Sequence, residues 1–285
     1  MQEAFVNINN IPTKVVTVGR WITEKPEKDE DKIILIIPGN PGVTGFYKKF
    51  MQILYEKHQC PVWIISHTGH DRNRQKAIEG LFPRPLGLEE QVKQKITFIE
   101  EYVPQNANLH IIAHSIGGYM TLELLKEPKI EKRIAQTYLL FPTIEDMIGT
   151  TNGKFLYNYI RHIVSVVVFL AWFFTILPKI VSVNLLKFYM FLVNMPANTR
   201  DPVMTLIHPK ILEQVFYLAY RELEQVNERD NENIKKICTG SIFCMEKMMV
   251  GIIRIVAIIL RKIFHKSMQR CQSMNILLFF MKMKK

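Results

Sequence analysis

The residues best placed for chemistry in this 285-residue chain lie in Leu109-His110-Ile111-Ile112-Ala113-His114-Ser115-Ile116-Gly117-Gly118-Tyr119. An apolar run enters His114-Ser115, small residues follow, and a helical pattern starts at once. A serine on so tight a strand-to-helix turn has its hydroxyl projected above a sheet, at a helix N-terminus whose N–H groups can hold an anion. The turn has little room for side chains two positions either side of the serine. Gly117 satisfies that demand, and Ala113 stands where glycine is commoner. A plainer reading makes Ser115 only the cap of the following helix. Against it stands Pro38-Gly39-Asn40-Pro41-Gly42, a rigid glycine-rich loop at the end of Ile33-Ile34-Leu35-Ile36-Ile37. A second N–H donor to an oxyanion belongs there, beside the N–H of Ile116. Pro41 has no N–H, so Asn40 or Gly39 must donate, and Asn40 is the preferred donor.

His67 and His70 are spaced so that two imidazoles could share a metal, but no third ligand is placed to join them. They are expected to be loop residues, with no metal and no cofactor, and Asp71 and Arg72 beside them are expected to be solvated.

The elements that must position Ser115 follow from apolar patterning. Ile33–Ile37, Val62–Ile65, Leu109–Ala113 and Ile134–Phe141 are short runs rich in β-branched residues and bounded by turns, which predicts buried parallel strands. Lys14–Val18 is a further, weaker strand candidate. Between them, Leu88, Val92, Ile96, Ile99 and Val103 repeat at three and four residues and mark one face of a helix. Phe46–Lys57 and Tyr119–Lys126 are shorter helical candidates. Strand and helix in alternation predict an α/β fold with a doubly wound, mostly parallel sheet.

Composition narrows the partners. The chain is 48% hydrophobic and 22% charged, which excludes a disordered chain. Its net charge of +11 is unevenly spread. From Thr239 onward there are nine Lys/Arg and one acid, so +8 lies in that tail, and the preceding residues hold 28 basic and 25 acidic side chains. The body is therefore not a basic nucleic-acid binder, and no aromatic RNA-binding signature accompanies the tail's charges; a membrane surface is the better partner. Four cysteines (Cys60, Cys238, Cys244, Cys271) lack zinc-like pairing, and Met1–Asn10 has no long apolar run, so a reducing, cytosol-facing compartment is expected.

Ile163–Leu177 is fifteen residues without a charge, and after Pro178-Lys179 the run Ile180–Val193 carries only Lys187. Fifteen helical residues reach about 22 Å, short of the roughly 30 Å hydrocarbon core. A single span is disfavoured on that length, and a hairpin turning at Pro178 with both arms in one leaflet fits better. A buried helix pair or a lid over a pocket is the alternative.

Together these motifs resemble the lipid droplet-associated hydrolase family. The resemblance is carried by Pro38-Gly39-Asn40-Pro41-Gly42 with Phe46-Tyr47, Ser66-His67-Thr68-Gly69-His70, Gly87-Leu88 with Gln91-Val92 and Lys95-Ile96, His114-Ser115-Ile116-Gly117, and Leu140-Phe141-Pro142-Thr143-Ile144-Glu145. It covers about Ile33 to Cys238. It implies an α/β-hydrolase fold, a serine nucleophile at Ser115, and hydrolysis of neutral-lipid esters, with sterol esters as the suggested substrate. It also implies residence on lipid droplets and the endoplasmic reticulum, with residues 155–195 as the attaching insertion.

In that fold the triad runs serine, acid, histidine along the chain. Here the pattern stops near Cys238; no Asp follows Asp230, and His265 is the one histidine beyond it. Neither triad partner of Ser115 is identifiable, and without a base its hydroxyl is not activated. Residues 239–285 read as an alternative C-terminus that replaces the last strands. Lys247, Arg254 and Arg261 recur every seven residues among isoleucines, a pattern suited to an anionic membrane surface. The alternative function class is then a non-catalytic protein of the droplet or membrane surface.

Overall fold

A computed structural model describes residues 1–26, 32–72 and 84–239. Six strands form one sheet: β1 (Gln2–Ile8), β2 (Ile11–Val18), β3 (Lys32–Ile37), β4 (Val62–Ile65), β5 (Asn108–His114) and β6 (Ile134–Leu140). Their order is β1-β2-β4-β3-β5-β6. The last four pair in parallel, and β1–β2 is an antiparallel hairpin added at β4. The α/β architecture expected from strand–helix alternation is what the chain adopts. Ile33, Leu35, Ile36 and Ile37 of β3 are fully buried, as continuous apolar strands must be when both faces of the sheet are covered.

Ten α-helices occur among the described residues: α1 (Lys48–His58), α2 (Leu88–Tyr102), α3 (Ile116–Leu124), α4 (Pro128–Glu131), α5 (Thr151–Phe155), α6 (Arg161–Ile176), α7 (Lys179–Leu192), α8 (Arg200–Leu206), α9 (Pro209–Gln225) and α10 (Asn231–Thr239). The α2 face expected from its periodicity is the buried one: Leu88, Val92 and Ile99 join the core with Phe98. Helix α1 packs on β4, α2 on α3 and α9, and α6 on α9. The N-terminal hairpin is longer than Lys14–Val18 suggested. Its turn is Asn9-Asn10, both at positive φ (50° and 62°), a conformation asparagine tolerates better than most residues.

The described chain divides into two compact units, one of Met1–Pro178 with the chain from Asp201 on, the other containing Lys179–Arg200. Within the first, Gly153–Ile176 is one helical run of 24 residues, joined through a π-turn at Leu156–Ile160. At 1.5 Å per residue it reaches about 36 Å. The length argument against a single span is thereby corrected: counting only the uncharged residues omitted the polar first turns. Phe169, Leu170, Trp172 and Phe173 on α6 are about half exposed or more. Within the second unit, α7 exposes Ile180, Phe188 and Phe191. Residues 240–285, with the basic heptad, lie outside the described residues.

Candidate active site

Ser115 sits between the last residue of β5 and the first of α3, at φ 52°, ψ −121°. A positive φ costs a non-glycine residue on the order of 1–3 kcal/mol, so its surroundings must enforce it. They do so through backbone bonds: Ser115 N–H donates to the Leu140 carbonyl (3.0 Å), and the Ser115 carbonyl accepts from Gly118 (2.9 Å) and Thr143 (3.0 Å). Strand β6 and the loop after it thus clamp the turn from the side.

The small residues have the steric reason the sequence suggested. Ala113 is fully buried. A Cβ on Gly117 would meet the Ile37 carbonyl oxygen at 2.4 Å, and one on Gly39 would meet Ser115 Cβ at 2.9 Å and His114 Nδ1 at 2.8 Å. Both contacts are inside van der Waals separation, so glycine at these two positions is what lets the Pro38–Gly42 loop approach the elbow. Ile116, also buried, opens α3. The Ser115 hydroxyl is half-buried, and Thr143 Oγ1 is its neighbour at 3.2 Å.

The Pro38–Gly42 loop is fastened at several points. Gly39 N–H donates to the Tyr47 hydroxyl at 3.0 Å, and the same hydroxyl lies 2.8 Å from His114 Nδ1. With Gly39 N–H on the hydroxyl oxygen, the hydroxyl proton goes to Nδ1, which leaves the imidazole proton on Nε2. Burial suits both partners to these neutral forms: it raises the Tyr47 phenol far above its usual value and pushes His114 down to about 4. The commitment of Gly39 N–H distinguishes the two candidate donors, because Asn40 N–H has no such partner among the described residues.

Ser66–Asp71 closes over the same loop from behind. Ser66 Oγ donates to the Gly42 carbonyl (3.1 Å), and His70 Nδ1 donates to the Pro41 carbonyl (2.6 Å). Asp71 accepts from Thr44 N–H (2.9 Å) and Thr44 Oγ1 (3.0 Å), with Lys14 Nζ at 3.8 Å. Asp71 was expected to be solvated; it is 6% exposed, and these donors, contributed by residues far away in sequence, are why a charge can stay there. His67 and His70 are loop residues as expected, but fully buried ones, their rings edge to face at 5.3 Å. Burial holds His70 down to about 3 and His67 well below its ordinary value. No group of three or more His, Cys, Asp or Glu side chains suited to a metal occurs among the described residues. Underneath, fully buried Lys95 donates to the Ser66 carbonyl and Gln91 Oε1, both at 3.1 Å, and burial brings it to about 7.

Two contributors carried no sequence expectation of a role: Tyr47 and Thr143. Tyr47 follows the glycine-rich loop closely enough that a hydroxyl folding back on it could have been considered. Thr143 reaches the site only through tertiary packing. A triad acid and histidine for Ser115 were not identifiable in the sequence, and His265 lies outside the described residues.

Comparison with known proteins identifies the family of the chain. A family model described as lipid-droplet associated hydrolase matches residues 30–248. The lipid droplet-associated hydrolase of Drosophila melanogaster is 37% identical over 244 residues, covering 83% of this chain and 78% of the fly protein. Those of Mus musculus and Homo sapiens are 33% and 31% identical, each covering 83% of this chain and 76% of the relative. Among solved structures, an α/β-hydrolase fold protein from Burkholderia ambifaria superposes with a TM-score of 0.50 at 15% identity, over 79% of this chain and 74% of that one. DBJA superposes with a TM-score of 0.52 at 10% identity, over 84% and 76%. These likenesses show the α/β-hydrolase fold, and the family match places the chain in a group of hydrolases. It belongs to the lipid droplet-associated hydrolase family.

Proposed function

We propose that the chain is a serine ester hydrolase working at the lipid droplet surface and the cytosolic face of the endoplasmic reticulum, with neutral-lipid esters, sterol esters among them, as substrate. Ser115 Oγ attacks the ester carbonyl. The resulting oxyanion is held by the N–H groups of Ile116 and Asn40, with Ala113, His114 and Gly117 shaping the elbow. The observation that carries this reading is the strained Ser115 backbone at a strand-to-helix turn, with the Pro38–Gly42 loop packed against it. Strain of that kind persists where surrounding structure over-determines it, and here it presents a hydroxyl that helix capping alone would not require. Gly39 N–H is engaged by Tyr47, which favours Asn40 as the loop's donor. No cofactor or metal is invoked.

A second reading, a non-catalytic protein of the droplet or membrane surface, is favoured by one observation: among the described residues the hydrogen-bond partner of Ser115 Oγ is Thr143 Oγ1 rather than a histidine. A serine without a base retains only the modest acceleration that oxyanion donors and binding supply. A fluorophosphonate probe and a short-chain nitrophenyl ester separate the two. Labelling at Ser115 with turnover, both lost in Ser115→Ala, supports the hydrolase. An unlabelled, inactive chain that still floats with droplets supports the binder.

A further inference from the structure

The loop that follows β6 bends back on the elbow, and its bend is strained. Phe141 has φ 48°, in the left-handed region that a bulky aromatic residue rarely adopts. Such a conformation persists only where surrounding structure over-determines it. Next to it Pro142, its own φ fixed by the ring, is pressed against α3. A Cβ on Gly118 would meet Pro142 Cβ at 2.7 Å, so glycine there is what admits the ring. Farther along, Asp146 N–H donates to the Asn227 carbonyl (3.1 Å) and Met147 N–H to the Val226 carbonyl (3.2 Å). The residues between these fastenings are held at both ends.

Thr143 lies in that segment and grips Ser115 twice. Its N–H donates to the Ser115 carbonyl at 3.0 Å, and its Oγ1 is 3.2 Å from Ser115 Oγ. Any residue but proline could make the backbone bond. The second bond needs a hydroxyl, and it reaches the atom that would attack. A serine side chain left to itself samples three staggered χ1 wells, which carry Oγ to different places. A hydroxyl has one proton and two lone pairs, so with Thr143 as the donor the Ser115 proton stays free for a base.

We infer that Thr143 is a positioning residue: its hydroxyl fixes the Ser115 side chain in one rotamer, with Oγ aimed for attack. This rests on Ser115 being the nucleophile and goes beyond it by assigning the group that aims it.

The test reads rotamer and chemistry separately, on the full chain. Hα–Hβ scalar couplings of Ser115 are measured in protein carrying 13C-labelled serine, the signal being assigned by its loss in Ser115→Ala. Thr143→Val removes the hydroxyl but keeps the branched shape and the backbone N–H. Thr143→Ser keeps the hydroxyl, and Ile144→Ala perturbs the same loop with both hydroxyls in place. We expect single-rotamer couplings in the parent, Thr143→Ser and Ile144→Ala, and averaged couplings in Thr143→Val. Where the parent turns over ester, Thr143→Val lowers kcat about fivefold with KM unchanged, and Thr143→Ser stays within about twofold of the parent. Averaging in the parent or in Ile144→Ala, or a single rotamer in Thr143→Val, overturns the assignment. If Thr143→Val does not fold, Thr143→Ala is read in its place. The rotamer is measurable whether or not ester is hydrolysed, so an inactive parent counts against the hydrolase reading alone.

Discussion

The Tyr47 hydroxyl joins Gly39 and His114: it accepts the Gly39 N–H at 3.0 Å and donates to His114 Nδ1 at 2.8 Å. One oxygen therefore ties the glycine-rich loop to the residue preceding Ser115. Tyr47→Phe removes it with almost no change of shape and leaves the Gly39 N–H and the His114 nitrogen without their partner. A buried group so abandoned costs roughly 1–3 kcal/mol, and the urea midpoint should fall accordingly. In a hydrolysing chain kcat should fall with it, because the loop and elbow lose their common anchor. An unchanged midpoint in Tyr47→Phe would show that the bridge is not formed in solution.

The Ser115 backbone makes a prediction that separates stability from chemistry. At φ 52° a side chain is disfavoured and glycine is not. Ser115→Gly should therefore be no less stable than the parent, and up to about 1 kcal/mol more stable, while Ser115→Ala keeps the strain. Both lack the hydroxyl, and both should lose fluorophosphonate labelling and ester turnover. Thermal unfolding of the pair, scanned together, reads the difference. Alanine as stable as glycine would mean that the turn relaxes when the serine is removed.

Much of this site was legible because its signals are local. The elbow is declared by Ala113, Ser115 and Gly117 within five residues, strands β3 and β4 by unbroken apolar runs, and β5 and β6 by apolar runs interrupted by His110 and by Gln136-Thr137. The N-terminal hairpin was partly missed, since β1 is largely exposed and alternates weakly; Asn9-Asn10 was the usable turn signal. The long-range closures were not legible at all. Asp71 looks like any surface acid until the fold brings Thr44 to it, and the Asn40 side chain has no anchor until α9 brings it the Val215 carbonyl from 175 positions later. Hydrophobic period predicts which face is buried, not which polar group will be buried with it.

Acid should destabilise the molecule through its buried histidines. His70 and His114 have folded values near 3 and 4, below the unfolded value of about 6.5, so the unfolded chain binds protons first as pH falls. Stability associated with the neutral imidazoles is complete above about pH 6.5 and is lost progressively toward pH 4 and 3. For His70 alone the loss is on the order of 5 kcal/mol at the acid end. Urea midpoints between pH 7 and pH 4 should fall steeply in the parent. They should fall less in His70→Asn, whose amide can still donate toward Pro41 but does not titrate. Equal slopes in the two proteins would remove His70 from the account.

The last expectation concerns attachment. Helix α6 buries Ala171 and packs on α9, yet Phe169, Trp172 and Phe173 remain 59%, 48% and 50% exposed. Large aromatics clustered on one helix leave a patch that water solvates poorly, and each side chain moved into an apolar phase contributes roughly 1.5–3 kcal/mol. Half of that is already realised by their partial burial, so replacing Phe169 and Phe173 with Ala should weaken binding to a lipid surface by about 2 kcal/mol, some thirtyfold in partition. Flotation with triolein emulsions coated in phosphatidylcholine measures it directly. The choice of site keeps the test clean, because both positions are remote in sequence from Ser115 and neither lies in the core cluster beneath it. The urea midpoint of the double variant should fall modestly, since about half of each ring is packed on protein, Phe169 on Trp172 among the contacts, so flotation is compared at equal folded fraction. Undiminished flotation would transfer the attachment to another apolar segment, with α7, which exposes Ile180 and Phe191 at 77% and 80%, next to be tested.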